Sequence, residues 1–173
     1  STPSGLVNST PSTPSTPSTL SASSNTVTIV THNGRFHTDE VMAVMLLRIY
    51  HDHLKIPVKI ERRRRVTNPL ADLKTIYVDT GLVYCHGQQK YDHHQSTFRQ
   101  TWDTNSTVPL SSCGLVWRHY GHGVLRGLQC PESIIPVMKE RIYRHFIMTI
   151  DASDNGIVTH TTTNDISNAL CLP

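Results

Sequence analysis

Two clusters of histidine and aspartate carry the residue types in this chain that could do chemistry. The first lies in Thr31-His32-Asn33-Gly34-Arg35-Phe36-His37-Thr38-Asp39-Glu40 and the second in Asp92-His93-His94. Asp79 stands between them in Val78-Asp79-Thr80-Gly81, and Asp151 and Asp154 follow late in the chain. Imidazole and carboxylate are the ligands that suit a divalent transition ion such as manganese. Several of them, each at the end of an apolar run, predict a metal site built at the mouth of a sheet.

The elements that must position these groups are readable from pattern. Val27-Thr28-Ile29-Val30-Thr31-His32 reads as a short buried strand. Gly34 permits a turn, and Asp39-Glu40 start a helix whose apolar residues Val41, Val44, Met45, Leu47 and Ile49 roughly follow helical spacing. Val58–Glu61 and Thr75–Asp79 read as two further strands, with a loop and short helix over Asn68–Leu73 between them. Lys90–His94, after a polar Cys85–Gln89 turn, reads as another short strand. Ser111-Ser112 cap a helix that runs to His119 or Tyr120 and is stopped by Gly121; Pro136 opens a last helix, Val137–Asp151. Strands alternating with helices predict an α/β fold with a largely parallel sheet flanked by helices. Ligands gather at the carboxyl ends of such strands, where His32, Asp79 and the Asp92-His93-His94 run all fall.

The 173 residues are enough for one domain with a proper core. A net charge of +3 excludes the global basic field of a dedicated nucleic-acid binder. Cys85, Cys113, Cys130 and Cys171 form no Cys-x-x-Cys pair, which argues against a structural zinc knuckle and for reduced cysteines inside a cell. No apolar stretch is long enough to span a bilayer. Residues 1–25 are rich in Ser, Thr and Pro, without charge or aromatic side chain, and are expected to be a disordered tail. That segment lacks the arginines of a transit peptide, and the chain begins without Met, which suggests processing or a fragment.

A strand–loop–helix crossover can fold His32, His37 and Asp39 around one point. Asp79 has two carboxylate oxygens and could bridge two ions. Adjacent His93 and His94 would point to opposite faces of a strand, one ligating and the other supporting it or touching substrate. Asp92 could orient a ligating imidazole. Two ions about 3.5–4 Å apart clamp the attacking and leaving oxygens of a phosphoryl displacement, so a two-metal hydrolase is the predicted chemistry.

These residues resemble the signature of the melanocyte-proliferating-gene exonuclease family, long catalogued as an uncharacterised protein family. The resemblance runs from the first cluster through Val78-Asp79-Thr80-Gly81, Tyr91-Asp92-His93-His94-Gln95, Leu110-Ser111-Ser112-Cys113-Gly114-Leu115-Val116 and Ile150-Asp151-Ala152-Ser153-Asp154-Asn155-Gly156. The family is similar to the DHH phosphoesterases, which include RecJ-type nucleases and manganese-dependent inorganic pyrophosphatases. The resemblance implies a DHH-like N-terminal domain over 26–160. It implies His32, His37, Asp39, Asp79 and His93 as metal ligands, Asp151 as the last with Asp154 its rival, and His94 beside the reacting phosphate. Asp79, Asp92 and His94 are the catalytic candidates; Arg35, Ser111 and Ser112 are the substrate-binding ones. Two manganese ions are expected, with magnesium the alternative. The partner expected is RNA or single-stranded DNA, in the mitochondrion or nucleus, and not a membrane.

His37 stands where the wider superfamily has aspartate, and Thr38 replaces a small residue. Residues 161–173 read as a remnant, with the family's second region absent. The resulting expectation is a metal-dependent phosphodiesterase, a 3′-to-5′ exonuclease. Two rivals stand beside it: a hydrolase of small phosphoesters or pyrophosphate, and a truncated, weakly active metal-binding module. Arg62-Arg63-Arg64-Arg65 reads either as a solvated loop face or as a phosphate contact. The helix at Ser111-Ser112 is either simply capped or offers free N–H groups to a phosphate. His51, His53, His86, His119, His122, His145 and His160 read as ordinary histidines, Trp117 as core, and Trp102 has no readable role.

Overall fold

A computed structural model describes residues 25–64, 66 and 74–157. The segments 1–24, 67–73 and 158–173 lie outside it, and with them the expected tail, the Asn68–Leu73 helix and the C-terminal remnant. Among the described residues the order is β1 (Val27–His32), α1 (Thr38–His53), β2 (Val58–Arg63), β3 (Thr75–Val78), β4 (Tyr84–Cys85), β5 (Lys90–Tyr91), α2 (Ser112–Gly127), α3 (Ile135–Ile142) and α4 (Met148–Asp154). The strands form one sheet in the order β2-β1-β3-β5-β4. β1 is parallel to β2 and β3, and β3 to β5, while β4 alone runs antiparallel at the edge. This is the largely parallel α/β architecture that the alternation of elements predicts.

The connectivity places the site. β2 lies on one side of β1 and β3 on the other, so the chain direction of winding reverses between β1 and β3. A crevice opens outside the carboxyl ends of strands at such a switch point. His32 closes β1, Asp79 directly follows β3, and Asp92 directly follows β5. Asp79 has a φ of +52°, so β3 ends abruptly in the left-handed region that Asp tolerates better than most residues.

The core is formed by Ile29, Ile76 and Val78 of the sheet, Ala43, Leu46 and Leu47 of α1, Leu115, Val116 and Trp117 of α2, and Ile135, Tyr143 and Ile147 beyond it. Each fully buried aliphatic side chain contributes about 1.5–3 kcal/mol. The α1 helix forms where expected, but on a different face. Its buried positions are Asp39, Glu40, Ala43, Leu46, Leu47 and His51, which recur at three- and four-residue spacing, whereas Val41 and Met45 are 45% and 42% exposed.

The α2 helix does not stop at Gly121 but continues to Gly127. The glycines serve close packing. A Cβ at Gly123 would lie 2.5 Å from the Tyr50 ring of α1, and one at Gly127 would lie 3.0 Å from His53. The last helical segment opens at Ile135, with Pro136 in its first turn as expected, but a π turn over Tyr143–Ile147 separates α3 from α4. Such turns re-aim the residues that follow and recur at functional sites. No helix among the described residues is long and apolar enough to cross a membrane.

Candidate metal centre

The site grows from five element ends. β1 delivers His32, the β1–α1 loop delivers His37, and the first turn of α1 delivers Asp39 and Glu40. Asp79 follows β3, Asp92, His93 and His94 follow β5, and Asp154 ends α4. One ligand atom from each of His32, His37 and Asp79 lies within 4.8 Å of the others, and the same holds for Asp79, His93 and His94 and for His37, Asp39 and Asp154.

Asp79 organises the cluster. Its Oδ2 lies 3.3 Å from His32 Nε2 and 3.8 Å from His37 Nδ1. Its Oδ1 lies 3.7 Å from His93 Nε2 and 3.4 Å from His94 Nδ1. The two oxygens of one carboxylate therefore face two different sets of donors. On the Oδ1 side, His93 Nε2 also approaches Asp154 Oδ2 at 3.0 Å and Asp39 Oδ2 at 3.9 Å.

These donors fit a metal ion. Asp39 Oδ1 is buried without a hydrogen-bond partner, which native interiors rarely tolerate, and the inner nitrogens of His32 and His93 are turned toward carboxylate oxygens of Glu40, Asp79 and Asp154. Burial, with the charges of Asp79 and Asp154, pushes the Asp39 carboxyl up to about 7. Burial likewise raises Asp79. Carboxylates crowded in this way need cations. Imidazole and carboxylate without thiolate suit manganese, zinc or magnesium.

His94 sits differently. β5 stops at Tyr91, so His93 and His94 do not alternate across a sheet, and their rings lie 4.4 Å apart against the same carboxylate. Asp92 orients His94 rather than His93: its Oδ1 accepts from the His94 amide at 3.0 Å and lies 2.9 Å from His94 Nδ1, while Oδ2 accepts from the Leu82 amide at 2.7 Å. The hydrogen bond to Asp92 raises His94 to about 9, so the half-exposed ring is cationic at neutral pH.

Asp151 and Asp154 have separate positions. Asp151 is fully buried against the start of α2, where its Oδ1 accepts from Ser111 Oγ at 2.7 Å, Ser111 N at 3.0 Å and Gly114 N at 3.1 Å. A Cβ at Gly114 would lie 2.4 Å from Asp151 Oδ2, so glycine is required for this approach. Asp151, expected as the last ligand, thus faces the start of α2, with Oδ2 buried and without a hydrogen-bond partner, while its rival Asp154 is the carboxylate that lies beside His93.

Ser111 and Ser112, expected to bind substrate, face the carboxylates of Asp151, Asp39 and Asp79. Both are fully buried. Ser112 N donates to Asp39 Oδ2 at 3.3 Å, Ser112 Oγ donates to Asp79 Oδ1 at 3.2 Å, and Cys113 N donates to Ser111 Oγ at 3.2 Å. Carboxylates and the N-cap serine take the donors that a phosphate would have used, so the two serines position acids. Arg35 remains exposed on the β1–α1 loop.

Glu40 is the buried member that sequence reasoning passed over as a mere helix starter. It accepts from Thr31 Oγ1 at 3.0 Å and from His37 N at 3.3 Å, and its Oε2 lies 2.5 Å from His32 Nε2. The available signal was its place three residues after His37, the position of a capping-box acid. Arg62 is not part of a solvated run: it donates to His32 O at 3.1 Å and Gly34 O at 2.9 Å and lies 3.5 Å from Glu40. Arg63 pairs with Glu61, and Arg65 lies outside the described residues.

Other histidines serve packing: His51 Nδ1 meets Leu47 O at 2.7 Å, and His86 stacks on His119 at 3.7 Å. Trp102 stacks on Tyr143 at 4.0 Å and donates to Glu140, and Trp117 is core.

A pH dependence follows. Asp39 is raised from 3.8 to about 7, so between those values the folded chain holds a proton that the unfolded chain has lost, and metal-free stability falls as pH rises. His94, raised from 6.5 to about 9, stabilises fully below the lower value, and that contribution is lost as pH rises through the upper one. A divalent ion replaces such protons. The thermal shift on adding manganese should therefore be larger near pH 8 than near pH 6; an equal or smaller shift near pH 8 contradicts the assignment.

The family model MYG1_exonuc, described as an uncharacterised protein family (UPF0160), matches residues 28–171. An MYG1 protein of Dictyostelium discoideum is 34% identical over 132 residues, 76% of this chain and 39% of that protein. An MYG1 protein of Caenorhabditis elegans is 38% identical over 138 residues, 75% and 39% of the two chains. The MYG1 exonuclease of Homo sapiens is 36% identical over 137 residues, 75% and 35%. The chain thus spans well under half the length of these relatives. No solved structure gives a significant match. Its motifs and this match over most of its length agree: the chain belongs to the MYG1 exonuclease family, UPF0160.

Proposed function

We propose that this chain carries the metal-dependent phosphodiesterase centre of a nuclease, a 3′-to-5′ exonuclease acting on RNA or single-stranded DNA. The observation that carries the reading is the division of Asp79, whose Oδ2 faces His32 and His37 and whose Oδ1 faces His93. His32, His37 and Asp79 would hold one divalent ion; Asp39, Asp79, His93 and Asp154 would hold a second. Manganese suits both sets. Bound there, the ions would supply an acidified water as nucleophile and neutralise charge on the phosphate.

The chain's own residues do the rest. His94, oriented by its hydrogen bond with Asp92, sits half-exposed at the edge of the cluster, where it can stabilise phosphate charge or donate to the leaving oxygen. Ser112 fixes Asp39 and Asp79 by hydrogen bonds, so neither must reorganise during reaction. A cleft of about 430 Å³, lined by His93, His94, Arg99, Asp154 and Asn155, opens beside the cluster and has room for a nucleotide. Mammalian relatives carry the name exonuclease, which supports a nucleic acid over a small phosphoester. The catalytic domain on this reading spans 26–160.

The test is a manganese titration of the purified chain, with cleavage of end-labelled single-stranded RNA followed in the same samples. Wild type should bind about two ions and shorten the RNA from one end, and His93→Ala should lose cleavage. Absence of ion binding, or undiminished cleavage by His93→Ala, would sink the proposal.

A further inference from the structure

Phe36 is an anomaly that the metal cluster does not explain. It is the most exposed large hydrophobic residue among the described residues, at 69% of its surface, and it immediately precedes His37. It is not loose, because the Arg62 guanidinium lies 3.8 Å from the centre of its ring. Arg62 is itself fixed by the carbonyl oxygens of His32 and Gly34 and by Glu40. One face of the aromatic ring is thus covered by a cation tied to the ligand-bearing loop, and the residue stays largely open to solvent.

We infer that Phe36, backed by Arg62, is a stacking platform for the base of the nucleotide whose phosphodiester lies at the His/Asp cluster. Stacking on an aromatic ring is how single strands are gripped without reading sequence, since every base has a π-face. An arginine on the far side adds a cation–π contact and fixes the angle of the ring. The ring is one residue from His37, whose Nδ1 lies 3.8 Å from Asp79, so the platform stands on the loop that carries part of the cluster. The inference rests on the nuclease reading for its choice of ligand, and it predicts grip on single-stranded nucleic acid with little base preference.

The experiment compares wild type, Phe36→Leu and Phe36→Trp. Affinity for a short labelled single-stranded RNA is read by fluorescence anisotropy, and manganese affinity is read by calorimetry. Loss of one stacked base should weaken RNA binding in Phe36→Leu by roughly 5- to 150-fold while manganese affinity stays unchanged. Phe36→Trp should restore binding, and its added indole fluorescence should be quenched by the RNA. Wild-type RNA affinity in Phe36→Leu, a loss that Trp does not restore, a parallel loss of manganese affinity, or no RNA binding by wild type would each overturn the platform. Binding is read without turnover, so the two readings separate. A chain that takes no manganese yet loses RNA affinity in Phe36→Leu overturns the metal nuclease and upholds the platform. A chain that cleaves RNA with Phe36→Leu affinity unchanged does the reverse.

Discussion

An Asp79→Asn chain is expected to lose both bound ions at once and to cleave RNA at least about 100-fold more slowly, beyond the loss typical when only a supporting partner is removed. The reason is the division of one carboxylate between two donor sets. Neutralising it removes an anionic ligand from each. Asparagine is the informative replacement, because position 79 has a φ of +52° and Asn tolerates that conformation while Ala does not. Asparagine also keeps an oxygen able to accept from Ser112 Oγ, which donates to Oδ1 at 3.2 Å. The variant should therefore stay folded; removing one of several crowded, buried carboxylates relieves repulsion, so its metal-free form should be no less stable than wild type. Calorimetry gives the ion count. His32→Ala and His93→Ala should each retain about one ion, whereas Asp79→Asn should retain none that is tight. Two tight ions in Asp79→Asn would exclude the bridging role.

The second large effect separates two aspartates three residues apart. Asp151→Ala should destabilise the fold, because Ser111 N, Ser111 Oγ and Gly114 N all donate to its Oδ1 in a fully buried position. Leaving such donors unpaired costs about 1–3 kcal/mol each, partly offset by relief of the burial that raises this carboxyl to about 6. A net loss of about 3 kcal/mol lowers the melting temperature by roughly 6–12 °C. Asp151→Asn, which keeps an acceptor oxygen, should recover much of it. Asp154→Asn should do the opposite: little change in metal-free melting, but manganese affinity lowered at least about tenfold. Melting curves and titrations of the three variants decide the matter. Weaker metal binding in Asp151→Asn with none in Asp154→Asn would return the ligand role to Asp151.

The parts of the molecule that were legible in the sequence are those set by local chemistry. β1 was readable because Val27–His32 is β-branched and apolar with Gly34 behind it, and the start of α1 because Asp39 and Glu40 precede a helical run. The α/β class followed from alternation of elements, and the carboxyl-end location of His32, Asp79 and Asp92 followed from the class. The family motifs carried the rest.

What the sequence misjudged depends on contacts distant along the chain. Composition marks Val41 and Met45 of α1 as core candidates as strongly as Ala43 and Leu47, and packing of α2 against α1 chose between them. Gly121 reads as a helix stop, yet α2 passes through it and uses Gly123 to seat Tyr50. Asp154-Asn155-Gly156 reads as a turn and Asn155-Gly156 do form one, but nothing local shows that Asp154, the last residue of α4, meets His93 while Asp151 meets α2. Arg62 joins the site through the β1–β2 pairing of Thr31 with Arg62, and Glu40 through its hydrogen bonds to Thr31 and His37. By itself, then, the sequence determined the ligand types, the strands and helix starts that carry them, and the end of the sheet at which they gather, because each is fixed by neighbours along the chain. Only the tertiary structure decided which carboxylate reaches the cluster, which oxygen of Asp79 faces which histidine, and which donors are already taken, because those follow from the angles at which separate elements pack.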